Sequence, residues 1–207
     1  MERRFVRTQP AQIITRDDGT VAVVGYASVF YNPLDPGTEF QLYRDLVERI
    51  MPGAFDRALR EDDVRGLFNH DSNQVLGRTA SGTLKLSADE KGLRYEISPP
   101  NTQLGRDLPV LVQRGDVSGS SFAFTIDSQT FRTEGDHDVR EINAVTLYDV
   151  GPVTYPAYES TTAGLRCAEG IDEAVKARDA WRAEQARQVG RMDVLRAGLR
   201  LKELEIS

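Results

Sequence analysis

From residue 1 to about residue 160, apolar and polar side chains alternate in short runs. Gly, Pro, Asp or Asn interrupts them at short intervals. A period of two is what a strand with one buried face needs, and the interruptions are turn chemistry. The pattern predicts strands over 12–15, 21–30, 46–50, 64–69, 82–86, 93–97, 117–126 and 140–153. Asp17-Asp18-Gly19-Thr20 and Asp89-Glu90-Lys91-Gly92 read as hairpin turns. Asn32-Pro33-Leu34-Asp35-Pro36-Gly37 reads as a longer loop, because its prolines exclude a central strand. Two helices are expected within this body, over 53–60 and 102–114. The second carries Leu104, Leu108 and Leu111 at helical spacing, with Pro109 placed to kink or shorten it. The fold class is α+β.

Beyond residue 170 the pattern changes. Residues 171–204 contain no proline and are rich in Ala, Arg, Glu and Gln, which predicts one long helix or two. Positions 171, 174, 178, 181, 185, 188, 192, 195 and 199 read Ile, Ala, Arg, Trp, Gln, Gln, Met, Leu and Leu. That seam is apolar at its ends and polar at Arg178, Gln185 and Gln188, too weak for a coiled coil alone. Residues 171–207 carry net +1, leaving −7 on residues 1–170. The chain therefore divides into a body, residues 1–165, and a helical tail, residues 166–207. The tail is either a solvated helix packed on the body or a docking segment for a partner or a second copy.

Composition removes several function classes. A net charge of −6 over 207 residues argues against nucleic acid, whose phosphates need clustered Lys and Arg. No apolar run reaches the ~20 residues that span a bilayer, and Met1-Glu2-Arg3-Arg4-Phe5-Val6-Arg7 carries no secretory h-region. The one cysteine, Cys167, cannot form an internal disulfide and reads as a bystander thiol. With two histidines in the chain, no metal site and no cofactor are expected. These features read together as a cytosolic protein.

So few reactive side chains leave few ways to build a catalytic site, and a Ser–His hydrolase is the most economical. A serine hydroxyl is a poor nucleophile until a base removes its proton. Leu67-Phe68-Asn69-His70-Asp71 puts an imidazole at the end of an apolar strand, at the rim of the core. Gly119-Ser120-Ser121-Phe122-Ala123-Phe124 offers two adjacent hydroxyls, which a strand points to opposite faces, so only one can meet His70. No Gly-x-Ser-x-Gly is present there, so this is not a nucleophile elbow. If strands 117–126 and 140–153 form a hairpin around Gly135-Asp136-His137, Ser121 lies opposite a residue near 151. Asp149 then falls on Ser121's face, one diagonal step away. Asp149 leads as the group that orients the base and Glu141, of the same parity but near the turn, follows. His137 is a distant third and reads most simply as a turn residue. Slipping the register by one residue would reverse the face.

Six blocks carry a resemblance. They are Gly25-Tyr26-Ala27-Ser28-Val29-Phe30, Glu48-Arg49-Ile50-Met51-Pro52-Gly53-Ala54-Phe55-Asp56, Asn69-His70-Asp71, Leu76-Gly77-Arg78-Thr79, residues 115–124, and Asp149-Val150-Gly151-Pro152-Val153-Thr154-Tyr155-Pro156-Ala157-Tyr158. In this order they resemble the caudovirus prohead serine protease family, which is similar in fold to the herpesvirus assemblins. The resemblance implies a mostly antiparallel, β-barrel-like sheet flanked by short helices, with the C-terminal helix as an extension. It implies His70 as the histidine of an Asn-His-Asp block and Ser121, directly before the first phenylalanine of Gly-x-Ser-Phe-x-Phe, as the serine. Where the family often has serine after the acidic-Val pair, this chain has Gly151. The assemblins use a second histidine as third member, so Asp149 in that role rests on the register argument. Arg78 either contributes charge near the site or forms a structural salt bridge.

The resemblance implies an endopeptidase that acts in the host cytoplasm inside the assembling prohead. It would trim scaffold or the N-terminal segment of the major capsid protein, and itself. Two competing readings are a non-catalytic scaffold or assembly module on the same fold, and an esterase. The intact His70, Ser121 and Asp149 count against the module and the missing elbow against the esterase.

Overall fold

Two long strands near the C-terminal end of the body organise the molecule. The computed structural model describes residues 1–6, 10–155 and 168–205. In chain order these form β1 (Glu2–Val6), β2 (Gln12–Thr15), β3 (Val21–Val29), β4 (Glu39–Tyr43), β5 (Leu46–Ile50), α1 (Asp56–Glu61), β6 (Arg65–Leu67), β7 (Val75–Arg78), β8 (Leu84–Ala88), β9 (Gly92–Ile97), α2 (Gln103–Arg114), β10 (Gly119–Glu134), β11 (His137–Val153) and α3 (Ala168–Glu205). The β10–β11 hairpin is the spine of one sheet, ordered β1-β10-β11-β5-β4, with β6 pairing both β11 and β7. The second sheet is ordered β2-β3-β9-β8. Most pairings are antiparallel, but β5 and β6 both run parallel to β11. Among the described residues neither sheet closes on itself, so the barrel-like part of the expected architecture is not observed; what forms is a pair of mixed sheets with few helices.

The alternation read from the sequence places most strands well. β2 and β5 have the expected bounds, β3 and β9 are within a residue, and β10 and β11 run further toward their shared turn. Three strands escape the pattern: β1, β4 and β7. For β1 the reason is physical. Its inward side chains, Glu2 and Arg4, are charged yet buried, because each finds an ionic partner inside. The expected strand 64–69 shrinks to β6, since the chain turns sharply after Leu67. Pro109 lies inside α2 without ending it.

The core lies between the sheets. Phe122 and Phe124 stack with ring centroids 4.7 Å apart, and Phe55 meets Phe122 edge-on at 5.6 Å. Tyr95, Leu93, Ile97, Ile142 and Leu147 complete it. Burying each large side chain contributes about 1.5–3 kcal/mol, which fixes the face that β10 turns inward. Ser120, Phe122 and Phe124 therefore lie on the core side, leaving Ser121 for the other.

The helical tail docks on the body through its first turns. Ala174 and Arg178 are buried. Arg178 pairs with Asp45 at 2.6 Å, Arg182 with the buried Asp138 at 2.6 Å, and Trp181 stacks on Phe131 at 5.8 Å. The polar seam residue Arg178 is thus a contact with the chain's own body. Residues 185–192 are exposed. The expected division at residues 165/166, and Cys167, lie outside the described residues. No helix among the described residues is long and apolar enough to cross a membrane.

Candidate active site

Ser121 lies directly opposite Gly151 in the β10–β11 ladder, and Ala123 opposite Asp149. No bulge intervenes before Ala123, so Ser121 and Asp149 share a face, as the period of two requires. The histidine reaches that face by a different route from the one expected. β6 runs parallel to β11, pairing Arg65 with Asp149 and Gly66 with Val150. The chain then turns through two left-handed residues, Asn69 at φ +55° and His70 at φ +57°. Asparagine tolerates this conformation better than most residues, and a bulky side chain adopts it only when its surroundings hold it there.

Those surroundings are visible. The Asn69 amide N–H donates to the Pro152 carbonyl at 3.1 Å. Asn69 Oδ1 accepts from the Thr154 N–H at 2.8 Å, and Asn69 Nδ2 donates to Thr154 Oγ1 at 3.1 Å. Asp71 caps the far side of the turn, its carboxylate accepting from the Asn73 N–H at 2.8 Å. His70 is therefore a turn residue clamped to the end of β11, not a strand terminus.

Gly151 makes the approach of β6 possible. A Cβ there would lie 2.0 Å from the Leu67 carbonyl oxygen. Gly151 is thus the residue over which the His70-bearing segment crosses.

The three side chains form one hydrogen-bonded row. His70 Nε2 lies 2.6 Å from Ser121 Oγ, and His70 Nδ1 lies 2.5 Å from Asp149 Oδ1. The His70 and Asp149 side chains are 5 % and 8 % exposed, and Ser121 is fully buried. Shielding from water strengthens such polar contacts. A carboxylate on Nδ1 favours the tautomer with the hydrogen on Nδ1, in which Nε2 can accept a hydroxyl proton. Ser121 Oγ has a further neighbour, the Arg4 carbonyl oxygen of β1, at 2.8 Å.

The other sequence candidates fall elsewhere. Ser120 points into the core, its hydroxyl 2.8 Å from that of Tyr95. Burial pushes the Tyr95 phenol up, against the pull of its bond with Ser120. Glu141 pairs with Thr130 near the far end of the hairpin and holds Arg132 at 2.9 Å. His137 begins β11 and faces Asp136 at 3.5 Å. Arg78 is a salt-bridge residue: it clasps Asp63 and holds that carboxyl well below the usual carboxylate range. Among the described residues no group of three or more His, Cys, Asp or Glu side chains is placed to hold a metal ion. β1 and its Arg4 carbonyl were not legible, since a run of Glu and Arg carries no strand signal.

A hydroxyl, an imidazole and a carboxylate in this order are the parts of nucleophilic hydrolysis. The family model described as caudovirus prohead serine protease matches residues 9–176 of the chain.

The chain belongs to the caudovirus prohead serine protease family.

It is accordingly a serine protease of bacteriophage capsid maturation. The match is wider than the six sequence blocks, reaching into the first turns of α3, and it begins after β1. Among solved structures, the bacteriophage T4 capsid assembly protease aligns at a TM-score of 0.43 and 14% identity, covering 74% of this chain and 99% of that one. No curated protein sequence gives a significant match.

Proposed function

We propose that Ser121, His70 and Asp149 are the catalytic residues of an endopeptidase that acts inside the assembling capsid. The observation that carries this reading is the row Ser121 Oγ, His70 Nε2, His70 Nδ1, Asp149 Oδ1, with both gaps at hydrogen-bond length. Ser121 Oγ attacks the scissile carbonyl carbon as its proton passes to His70 Nε2. Asp149 holds the ring by Nδ1–H and stabilises the imidazolium formed. When the tetrahedral intermediate collapses, Nε2 gives the proton to the leaving amine. Water then enters, loses a proton to the same nitrogen and cleaves the acyl-enzyme, returning Ser121.

The substrates we assign are scaffold protein, or the N-terminal segment of the major capsid protein, and the protease's own chain. The natural test is co-expression with the cognate coat and scaffold proteins, followed by mass spectrometry of every product. Ser121→Ala and His70→Ala should each leave coat, scaffold and protease at full mass. Processing that survives Ser121→Ala refutes the assignment. An intact wild-type chain that still promotes particle assembly favours the non-catalytic module.

A further inference from the structure

The strand that carries Ser121 is flanked by β11 on one side and on the other by the chain's own first residues. In the β1–β10 ladder Phe5 pairs with Ser121 and Val6 with Ser120. Among the described residues β1 is the edge of its sheet and pairs with β10 alone. It therefore lies where an extended peptide would add to the nucleophile's strand. Its contact with the nucleophile is unproductive. Ser121 has one hydroxyl hydrogen, and the Arg4 carbonyl at 2.8 Å competes for it with His70 Nε2 at 2.6 Å. A hydrogen given to Arg4 is not available to His70 Nε2. The Arg4 carbonyl also presents its oxygen to Ser121 Oγ, whereas attack requires the carbon.

What holds β1 down is built to separate. Glu2 and Arg4 pair with each other at 2.5 Å on the strand. Glu48 and Arg140, register partners on β5 and β11, pair at 3.0 Å on the body. Each half is neutral by itself. Between the halves, Arg4 reaches Glu48 at 2.5 Å and Arg140 reaches Glu2 at 3.3 Å. All four side chains are buried. Breaking a buried pair is costly because it strands a lone charge. Here separation strands none, since each half keeps its internal pair and regains water. At Gly170 of α3 a Cβ would stand 3.1 Å from Glu2 Oε2, so the tail begins as a cover over this latch. β1 lies before the residues that the family model matches.

We propose that β1 is a detachable inhibitory strand: residues 2–6 block Ser121, and their release from the Glu48–Arg140 pair switches the protease on. This rests on Ser121 being the nucleophile. The test uses the full chain with Glu2→Ala and Arg4→Ala together, which removes the strand's half of the latch and leaves the body's half intact. The readout is the rate at which a fluorophosphonate probe labels Ser121, with hydrogen exchange to follow β1. Labelling should be about tenfold faster than in wild type, the effect expected if the free-strand population rises by that factor. A synthetic peptide of residues 1–7 added in trans should slow it again. Labelling that is unchanged or slower in a folded double variant overturns the proposal. Should the double variant fail to fold, Arg4→Lys, which keeps the charge but loses the forked contact with Glu48, is read by the same standard. Probe that labels both proteins equally after Ser121→Ala marks a failure of the catalytic assignment instead.

Discussion

Replacing Gly151 with alanine should disable the site without touching any of its three side chains. The new Cβ would stand 2.0 Å from the Leu67 oxygen and 3.0 Å from the Leu67 carbonyl carbon, where ordinary contact begins at 3.4 Å. Both groups are backbone, so no side chain can swing away. β6 must withdraw by about 1.4 Å at Leu67, the shortfall from ordinary contact. His70 lies three residues on and is tied to β11 through Asn69, so part of that shift is delivered to the ring. A movement of about 1 Å would stretch the 2.6 Å gap between Nε2 and Oγ beyond hydrogen-bond length. Misplacement on this scale costs on the order of 10²-fold in rate, and overpacking costs about 1–3 kcal/mol of stability. The assays are peptide turnover and thermal melting of the same samples. The expected result is a folded protein, melting a few degrees lower, with kcat/KM down about 10²-fold. Gly151→Ser, which adds the same Cβ, should be equally damaged. Turnover within about threefold of wild type in either variant would show that Leu67 yields without moving His70, and would refute the reasoning.

Ser120→Ala should keep most activity but leave the buried Tyr95 hydroxyl without its partner, lowering stability by about 1–3 kcal/mol in a denaturant melt. The Tyr95→Phe/Ser120→Ala pair should recover part of that loss; no recovery would separate the two groups energetically. Truncation after residue 169 should remove Arg178 and Arg182 from Asp45 and Asp138. Strand content by circular dichroism should be retained, and particle processing impaired more than peptide cleavage; an unfolded body would make the tail part of the core. Arg16 holds the Glu96 carboxyl below its ordinary value of 4.5. Its contribution to stability is therefore complete above that value and is lost as pH falls through the lowered folded value. The melting-temperature advantage of wild type over Arg16→Met should shrink in acid and hold at neutral pH, and an advantage that is constant with pH would contradict the coupling.

Much of the body was legible because short strand-forming runs broken by turn residues mark its strands. β2, β3, β5 and β9 could be bounded from their apolar runs and flanking turn residues, while the choice of Ser121 over Ser120 came from the resemblance. Strand parity carried Asp149 to Ser121's face, since no bulge falls between Gly151 and Asp149. Tertiary structure decided what depends on contacts between distant segments. Asn69 and His70 are left-handed because Pro152 and Thr154 hold them so, and no local pattern encodes a clamp some 85 residues away. Gly151 looked like a small departure from a family residue until the Leu67 backbone was seen to cross it. β1 stayed hidden because pattern reading takes charge as a sign of exposure. Glu2 and Arg4 are instead buried against Glu48 and Arg140, a pairing that exists only once β5, β11 and the N-terminal strand have come together. Arg178 broke the tail's apolar seam for the same reason: its partner, Asp45, lies on the body.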